Sequence, residues 1–182
     1  MNGLIEMINE YVMEECRKYK ETSDRYICKI ASPEEMEQKW DYEISIHAEK
    51  ENWIAWKAEA IEGCRSGRSI PYYGILDGTV ICEATAILKP ELKQVPEQMA
   101  ELCAFRTNSA YRGQGYFSKL KDFMLKDLKQ KGYAKAVVGV EPEETMNREM
   151  YHHWGFTEYL CSDTETYPDG TVIRVDFFVK SL

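Results

Sequence analysis

Residues 111–118 read YRGQGYFS, directly after an apolar, strand-like stretch and directly before an amphipathic helical pattern. Two glycines one residue apart let the backbone turn tightly and approach a ligand closely, because neither carries a Cβ. The helix that follows presents free N–H groups and the positive end of its dipole at the same place, and Arg112 adds a forked, permanently charged guanidinium. The segment therefore predicts an anion site, and a pyrophosphate is the ligand we expect.

The composition is that of one ordinary globular domain. The chain has 182 residues, of which 44% are hydrophobic and 30% are charged, which is enough for a sizeable core. We therefore predict a single domain over residues 1–182. No apolar run is long enough for a membrane-spanning helix, and Met1 leads into a polar, helix-like segment rather than a signal peptide, so we expect a cytoplasmic protein without a membrane partner.

The net charge bears on the partners that the chain can bind, and the cysteine pattern on disulfides and metal sites. The formal net charge of −8 argues against a nucleic-acid partner, since affinity for phosphate backbones depends on Lys and Arg, and it is compatible with an amine-bearing substrate. The six cysteines form no CxxC pair and lie mostly within apolar patterns. We interpret them as reduced core residues and expect neither a disulfide framework nor a metal site.

Apolar periodicity and turn signals predict the order of the elements. Residues 32–35 combine an N-cap serine, a first-turn proline and an N3 glutamate, which begin a helix, while Asp77-Gly78 and Asp169-Gly170 are hairpin signals. The predicted helices are 3–21, 33–46, 49–64, 116–131 and one from Pro142 to about residue 153. The predicted strands are 25–30, 71–76, 79–88, 99–107, 136–140 and two between 156 and 182.

Two motifs on these elements resemble the GCN5-related N-acetyltransferase (GNAT) family. Its Arg/Gln-x-x-Gly-x-Gly/Ala loop is matched by residues 112–117, and its Asn-x-x-Ala-x-x-x-Tyr-x-x-x-Gly-Phe segment is matched by residues 144–156. The resemblance implies an α+β fold: a central, mostly antiparallel sheet, split between its fourth and fifth strands and flanked by helices. Segment 1–21, with the helix predicted at residues 3–21, is additional to that fold and offers a dimer contact or an intramolecular one.

This sequence departs from the family's pattern at two places. Phe117 stands where the loop usually has Gly or Ala, so the helix start must accommodate a large ring. Glu144 stands at the usual Asn and Asn147 at the usual Ala. We expect Glu144 to point away from an anionic cofactor, because the two charges would repel, and Asn147 to supply the polar contact one turn later.

The resemblance implies acetyl-CoA as cofactor, with its pyrophosphate on the backbone N–H groups of residues 113–118 and its pantetheine arm added like a strand beside residues 105–107. The implied cofactor-binding residues are Phe105, Arg106, Thr107, Arg112, Gly113, Gln114, Gly115, Tyr116, Phe117, Ser118 and Asn147. The reaction it implies is the direct attack of a primary amine on the thioester in a ternary complex. The acceptor, a small molecule or a peptide, stays open.

Proton transfer in such a reaction needs an acid and a base. Tyr151 matches the family position that protonates the leaving thiolate, and a phenol stays protonated at neutral pH. Glu101 is the candidate base, with Glu83 and Glu141 as alternatives. Strand alternation predicts Glu101 on the same face as Cys103 and Phe105.

Other interpretations remain open at this stage. Tyr151 can be a packing residue and Glu101 a solvated or ion-paired carboxylate. Several aromatic side chains either form core or line an acceptor pocket: Trp40, Trp53, Trp56, Tyr72 and Tyr73. The alternative to an enzyme is a non-catalytic acyl-CoA sensor or scaffold of the same fold.

Overall fold

A computed structural model describes residues 25–46, 51–88 and 98–182. The helix predicted at residues 3–21 lies outside the described residues. Its dimer contact, and the assignment of residues 1–182 to one domain, therefore stay predictions. Within the described ranges, no helix is long and apolar enough to cross a membrane.

The helices and strands follow the predicted order closely. The helices are α1 (Pro33–Ile46), α2 (Glu51–Arg65), α3 (Tyr116–Gln130) and α4 (Thr145–His153), and a short 3-10 turn spans Ser109–Tyr111. The strands are β1 (Tyr26–Ile30), β2 (Ser69–Leu76), β3 (Thr79–Ile87), β4 (Met99–Thr107), β5 (Lys135–Val140), β6 (Glu158–Thr166) and β7 (Val172–Ser181). The helix predicted from Pro142 begins at Thr145 instead, because residues 141–144 form a turn closed by a 3.0 Å hydrogen bond from Glu144 N–H to the Glu141 carbonyl.

Local signals account for the element boundaries. At the start of α1, Ser32 Oγ accepts the Glu35 N–H at 3.3 Å and the Glu35 carboxylate accepts the Ser32 N–H at 2.9 Å, which is a complete capping box. Between β2 and β3, Asp77 and Gly78 have φ of 51° and 79°. Positive φ at both central residues is the geometry of a type I′ turn, which matches the twist of the strands it joins.

The seven strands of the described ranges form one sheet in the order β1-β2-β3-β4-β5-β7-β6. All neighbours are antiparallel except β4 and β5, which pair in parallel only over Met99–Leu102 and Lys135–Val138. Beyond these residues β4 continues beside β3 alone, and β5 continues beside β7 alone. The predicted fold, a mostly antiparallel sheet split between its fourth and fifth strands, is confirmed.

Helices cover both faces of the sheet. Leu120, Met124 and Leu128 of α3 are fully buried on one face, together with Phe156 beyond α4. The opposite face carries α1 and α2 over the β2 side, and a second apolar cluster from Met99 on β4 to β7. The split between β4 and β5 therefore opens toward helices on one side and toward the β6–β7 hairpin on the other.

A β-bulge lies in β4 where the split begins. Thr85 pairs with Cys103 while Glu83 pairs with Arg106, so Ala104 and Phe105 together oppose a single residue of β3. Ala104 has a φ of 54°, a left-handed conformation that costs a non-glycine residue free energy. The bulge reverses the alternation of side chains, and Phe105 packs on the α3 face, away from Glu101 and Cys103. The prediction that all three share one face is wrong for Phe105.

Candidate active site

The glycine loop between β4 and α3 is open on its outer side. Gly113 and Gly115 have φ of 73° and 80°, and a Cβ built on either would meet no atom within 4 Å. Both positions thus require glycine for conformation rather than for lack of space inside the protein. The open space beside these two glycines is on the outer side of the loop, from which a ligand would approach.

The loop presents a row of unused backbone donors. Arg112 N–H bonds the Ser109 carbonyl at 3.4 Å, and the Lys119 N–H bonds the Gly115 carbonyl at 3.3 Å. Between them, the N–H groups of residues 113–118 find no acceptor among the residues that the structure describes. Free N–H groups at the start of a fifteen-residue helix favour an anion. The loop is therefore open to an anion, and its use by a diphosphate stays a prediction.

Two side chains of the glycine loop stabilise the anion cradle, which is the set of free N–H groups of residues 113–118. Arg112 Nε donates to the Thr107 carbonyl at 3.0 Å, and Gln114 Nε2 donates to the Ala110 carbonyl at 3.0 Å. The first bond ties the loop to the end of β4, and the second closes the turn on itself. The shape of the cradle therefore depends on these side chains as well as on the glycines.

Arg106 occupies a different place from the other proposed cofactor-binding residues. Its guanidinium lies on the α1–α2 face, 3.0 Å from a Glu43 carboxylate oxygen and 3.5 Å from one of Glu83. It also lies 4.5 Å from the Trp53 ring centroid and 5.5 Å from that of Trp40. Only the backbone of Arg106, with that of Phe105 and Thr107, lies along the split.

Phe117 is accommodated by an aromatic cluster between α3 and α4. Its ring stacks on Trp154 at 5.4 Å with 13° between the planes, and meets Phe105 edge-on at 5.3 Å. Phe105 and Trp154 in turn contact the Tyr151 ring at 5.7 Å and 5.8 Å. The large residue at the family's small position thus fills the space between two helices and leaves the loop backbone open.

A cleft of about 180 Å³ opens where β4 and β5 separate. It brings together the predicted acid Tyr151 and the predicted base Glu101, and adds residues that sequence reasoning missed, chiefly Glu165 and Tyr167. The cleft is lined by Glu101, Leu102, Cys103, Ala104, Gly139, Val140, Glu141, Glu144, Tyr151, Glu165, Tyr167, Ile173 and Val175. Glu144 lines this cleft, and the expectation that it points away from the cofactor stays a prediction.

The β6–β7 hairpin closes one side of the cleft. Asn52 on α2 and Asp169 in the hairpin turn exchange two hydrogen bonds, of 2.8 Å and 3.0 Å. Tyr167 packs edge-on against Trp56 of α2 at 5.3 Å. The Asp169-Gly170 signal predicted this hairpin, but no local pattern indicated that its tip reaches across to α2.

Glu101 has the surroundings of a tunable base. Burial, and after it the nearby Glu165 carboxylate, raise the pKa of its carboxyl group to about 7. No ion pair joins Glu101 to a described residue. The alternative, Glu83, is bound to Lys39 at 2.8 Å and to Arg106. Burial raises the Glu83 pKa, whereas Lys39 and Arg106 act to lower it. Both cations already pair with the Glu83 carboxylate, which leaves it less available to accept a proton from a substrate. The geometry favours Glu101.

Tyr151 is suited to donate a proton. It is buried on α4, and burial raises its pKa to about 12, with Glu144 contributing next. Its hydroxyl has no partner among the described residues.

Asn147 lies half-buried in the first turn of the same helix. His152 packs on Phe178 at 5.0 Å, and the described residues include no cluster that would hold a metal ion.

Comparison with known proteins agrees with the split sheet and the loop. The model of the acetyltransferase (GNAT) family matches residues 18–156, and the chain belongs to this family, whose members use acetyl-CoA as acyl donor. No curated protein matches the chain at a significant level.

Solved structures with the same fold are distant in sequence. An IAA acetyltransferase from Bacillus cereus ATCC 14579 is 14% identical, with a TM-score of 0.60, over 86% of this chain and 99% of its own. The ribosomal-protein-S18-alanine N-acetyltransferase from Escherichia coli is 16% identical, with a TM-score of 0.62, over 86% and 93%. The protein yncA from Salmonella typhimurium, whose structure contains acetyl-CoA, is 16% identical, with a TM-score of 0.57, over 87% and 94%. At these identities they show the fold alone.

The raised pKa of Glu101 predicts a pH-dependent stability. Its carboxyl pKa is about 7 in the folded protein against an ordinary 4.5, so the group favours folding at low pH, and that contribution is lost as the pH rises from about 4.5 to about 7. Urea unfolding should show wild type losing stability relative to Glu101→Gln across this window. Glu149→Gln, at an exposed site on α4, controls for net charge. A pH-independent difference between wild type and Glu101→Gln would contradict the raised pKa.

Proposed function

We propose that this protein is an N-acetyltransferase that transfers the acetyl group of acetyl-CoA to a primary amine of a small molecule or peptide. The observation that carries the proposal is the split of the sheet. It joins an open anion cradle on one side to a cleft that holds a candidate base and a candidate acid. Family membership supports the same activity.

The acyl donor is held mainly by backbone groups. The N–H groups of residues 113–118 would bind the diphosphate, and Arg112 and Gln114 would maintain the loop, with Ser118 in its first helical turn and Asn147 on α4 nearby. The edge of β4 at residues 105–107 would pair with the pantetheine arm, because β5 has left that edge. Acetyl-CoA supplies the acetyl group as a thioester, which a free amine attacks directly in a ternary complex.

Glu101 accepts the proton that would otherwise prevent the amine from attacking. An aliphatic amine is protonated at neutral pH and has no lone pair to donate. A carboxylate with a pKa of about 7 is a competent acceptor for the ammonium proton at that pH, and efficient general bases have pKa values near the working pH. The reaction therefore requires Glu101 in its ionised form.

Tyr151 completes the proton transfers at the other end of the reaction. Its phenol keeps its proton at neutral pH, because burial raises its pKa to about 12. From the cleft wall it would donate that proton to the departing sulfur. The acid and the base thus differ widely in pKa, which is the usual arrangement when two groups of one site divide these roles.

The charge of the cleft supports a cationic acceptor. Glu101, Glu141, Glu144 and Glu165 all line it, and none forms an ion pair with a described residue. Carboxylates grouped in a partly enclosed space attract cations and repel other carboxylates. An amine without a neighbouring carboxylate should therefore be the better substrate.

Replacing Tyr151 with phenylalanine tests the enzyme directly. We expect turnover to fall by about 100-fold or more, since general acids contribute at least that much, while acetyl-CoA binding is unchanged because the ring still packs on Phe105 and Trp154. Steady-state kinetics and calorimetry measure the two quantities. Tyr159→Phe, at an exposed site on β6, should change neither. Turnover that stays undetectable for wild type despite acetyl-CoA binding would favour the non-catalytic binding module.

A comparison of acceptors tests the charge of the cleft. An aliphatic diamine should give a higher kcat/KM than an α-amino acid of the same length. Glu165→Gln should reduce this preference by about fivefold, the value of one interaction near 1 kcal/mol. Glu158→Gln removes an exposed carboxylate from the same strand and should leave the preference as it is. Equal preference in wild type and Glu165→Gln would rule out a contact of Glu165 with the acceptor.

A further inference from the structure

Tyr26 reaches across the sheet to the glycine loop. It lies on the edge strand β1, yet its hydroxyl lies 3.1 Å from Cys82 Sγ on β3, two strands away. The path crosses β2 at Gly74, where an added Cβ would collide with both the Tyr26 hydroxyl and the Cys82 sulfur. Gly74 is therefore the opening in β2 that lets this side chain pass over the strand.

The hydroxyl ends on the backbone of the proposed cradle. Tyr26 Oη donates to the Tyr116 carbonyl oxygen at 2.9 Å, and the two rings pack at 4.8 Å. Burial raises the pKa of Tyr26 well above its ordinary value, so the hydroxyl keeps its proton and remains a donor. Tyr116 is the first residue of α3, directly after Gly115.

The Tyr116 carbonyl and the Phe117 N–H belong to one planar peptide unit and point in opposite directions. A donor that fixes the carbonyl oxygen therefore fixes the direction of the Phe117 N–H. That N–H is among the unused donors of the loop. Resting on the proposed function of this loop, we propose that Tyr26 is a positioning residue for the acyl donor: its hydroxyl orients the first peptide unit of α3 toward the diphosphate.

A second tyrosine provides a matched control on the same helix. Tyr72 is fully buried on β2, and its hydroxyl donates to the Asp127 carboxylate at 2.6 Å, in the last turns of α3. Both hydroxyls tie the sheet to α3, but only that of Tyr26 bonds a peptide unit of the loop. If Tyr26 had only a structural role, its loss would affect stability as the loss of the Tyr72 hydroxyl does and leave ligand binding unchanged.

The test compares Tyr26→Phe with Tyr72→Phe. For Tyr26→Phe we expect the Kd for acetyl-CoA, measured by calorimetry, to rise by about fivefold, as for the loss of one hydrogen bond, with kcat at saturating acetyl-CoA unchanged. Tyr72→Phe should lower the unfolding midpoint and leave this Kd as in wild type. With S-acetylpantetheine, which lacks the diphosphate, Tyr26→Phe and wild type should give equal kcat/KM.

Gly74→Ala provides a second variant, in which residue 26 remains a tyrosine. Because the new methyl group displaces the Tyr26 hydroxyl, the substitution should also raise the Kd for acetyl-CoA and leave kcat/KM with S-acetylpantetheine unchanged. An unchanged Kd for acetyl-CoA in Tyr26→Phe would overturn the role of Tyr26 while the proposed function stands. An equal loss of kcat/KM with acetyl-CoA and with S-acetylpantetheine would do the same. Failure of wild type to bind acetyl-CoA would overturn the proposed function, and this inference with it.

Discussion

The parallel pairing of β4 with β5 stops at Leu102 and Val138, and the site depends on that break. Two neighbouring strands of a sheet normally satisfy each other's backbone groups along their whole length. Here β5 stays with β7 and β4 stays with β3, so an edge of β4 is exposed inside the protein rather than at its rim. A ligand that pairs like a strand can therefore bind in the centre of the molecule.

The bulge at Ala104 gives the two faces of β4 different roles. Before it, Glu101 and Cys103 face the cleft beside β7 and the β6–β7 hairpin. After it, Phe105 packs against Phe117, Tyr151 and Trp154, and so links the start of α3 to the end of α4. The left-handed conformation of Ala104 thus places Glu101 and Cys103 on one face of β4 and Phe105 on the other.

Local sequence patterns predicted most of this architecture. The glycine loop, the capping box at Ser32 and the two Asp-Gly hairpins depend on neighbouring residues only, and these elements lie where expected. The reversal of Phe105 and the ion pairs of Arg106 with Glu43 and Glu83 were not predicted. They depend on register between β3 and β4 and on contacts with α1, some sixty residues away in sequence. Glu165 and Tyr167 were missed for the same reason, since the hairpin tip bonds α2 across 117 residues.

The most direct test of the central claim is a calorimetric titration of the protein with acetyl-CoA, with NAD as a diphosphate-bearing control. If the split sheet and the open loop form a donor site, acetyl-CoA and CoA bind with one-to-one stoichiometry in the micromolar range and NAD does not, because only the former have a pantetheine arm to pair with β4. The absence of acetyl-CoA binding at millimolar concentration, or equal binding of NAD, would contradict the account.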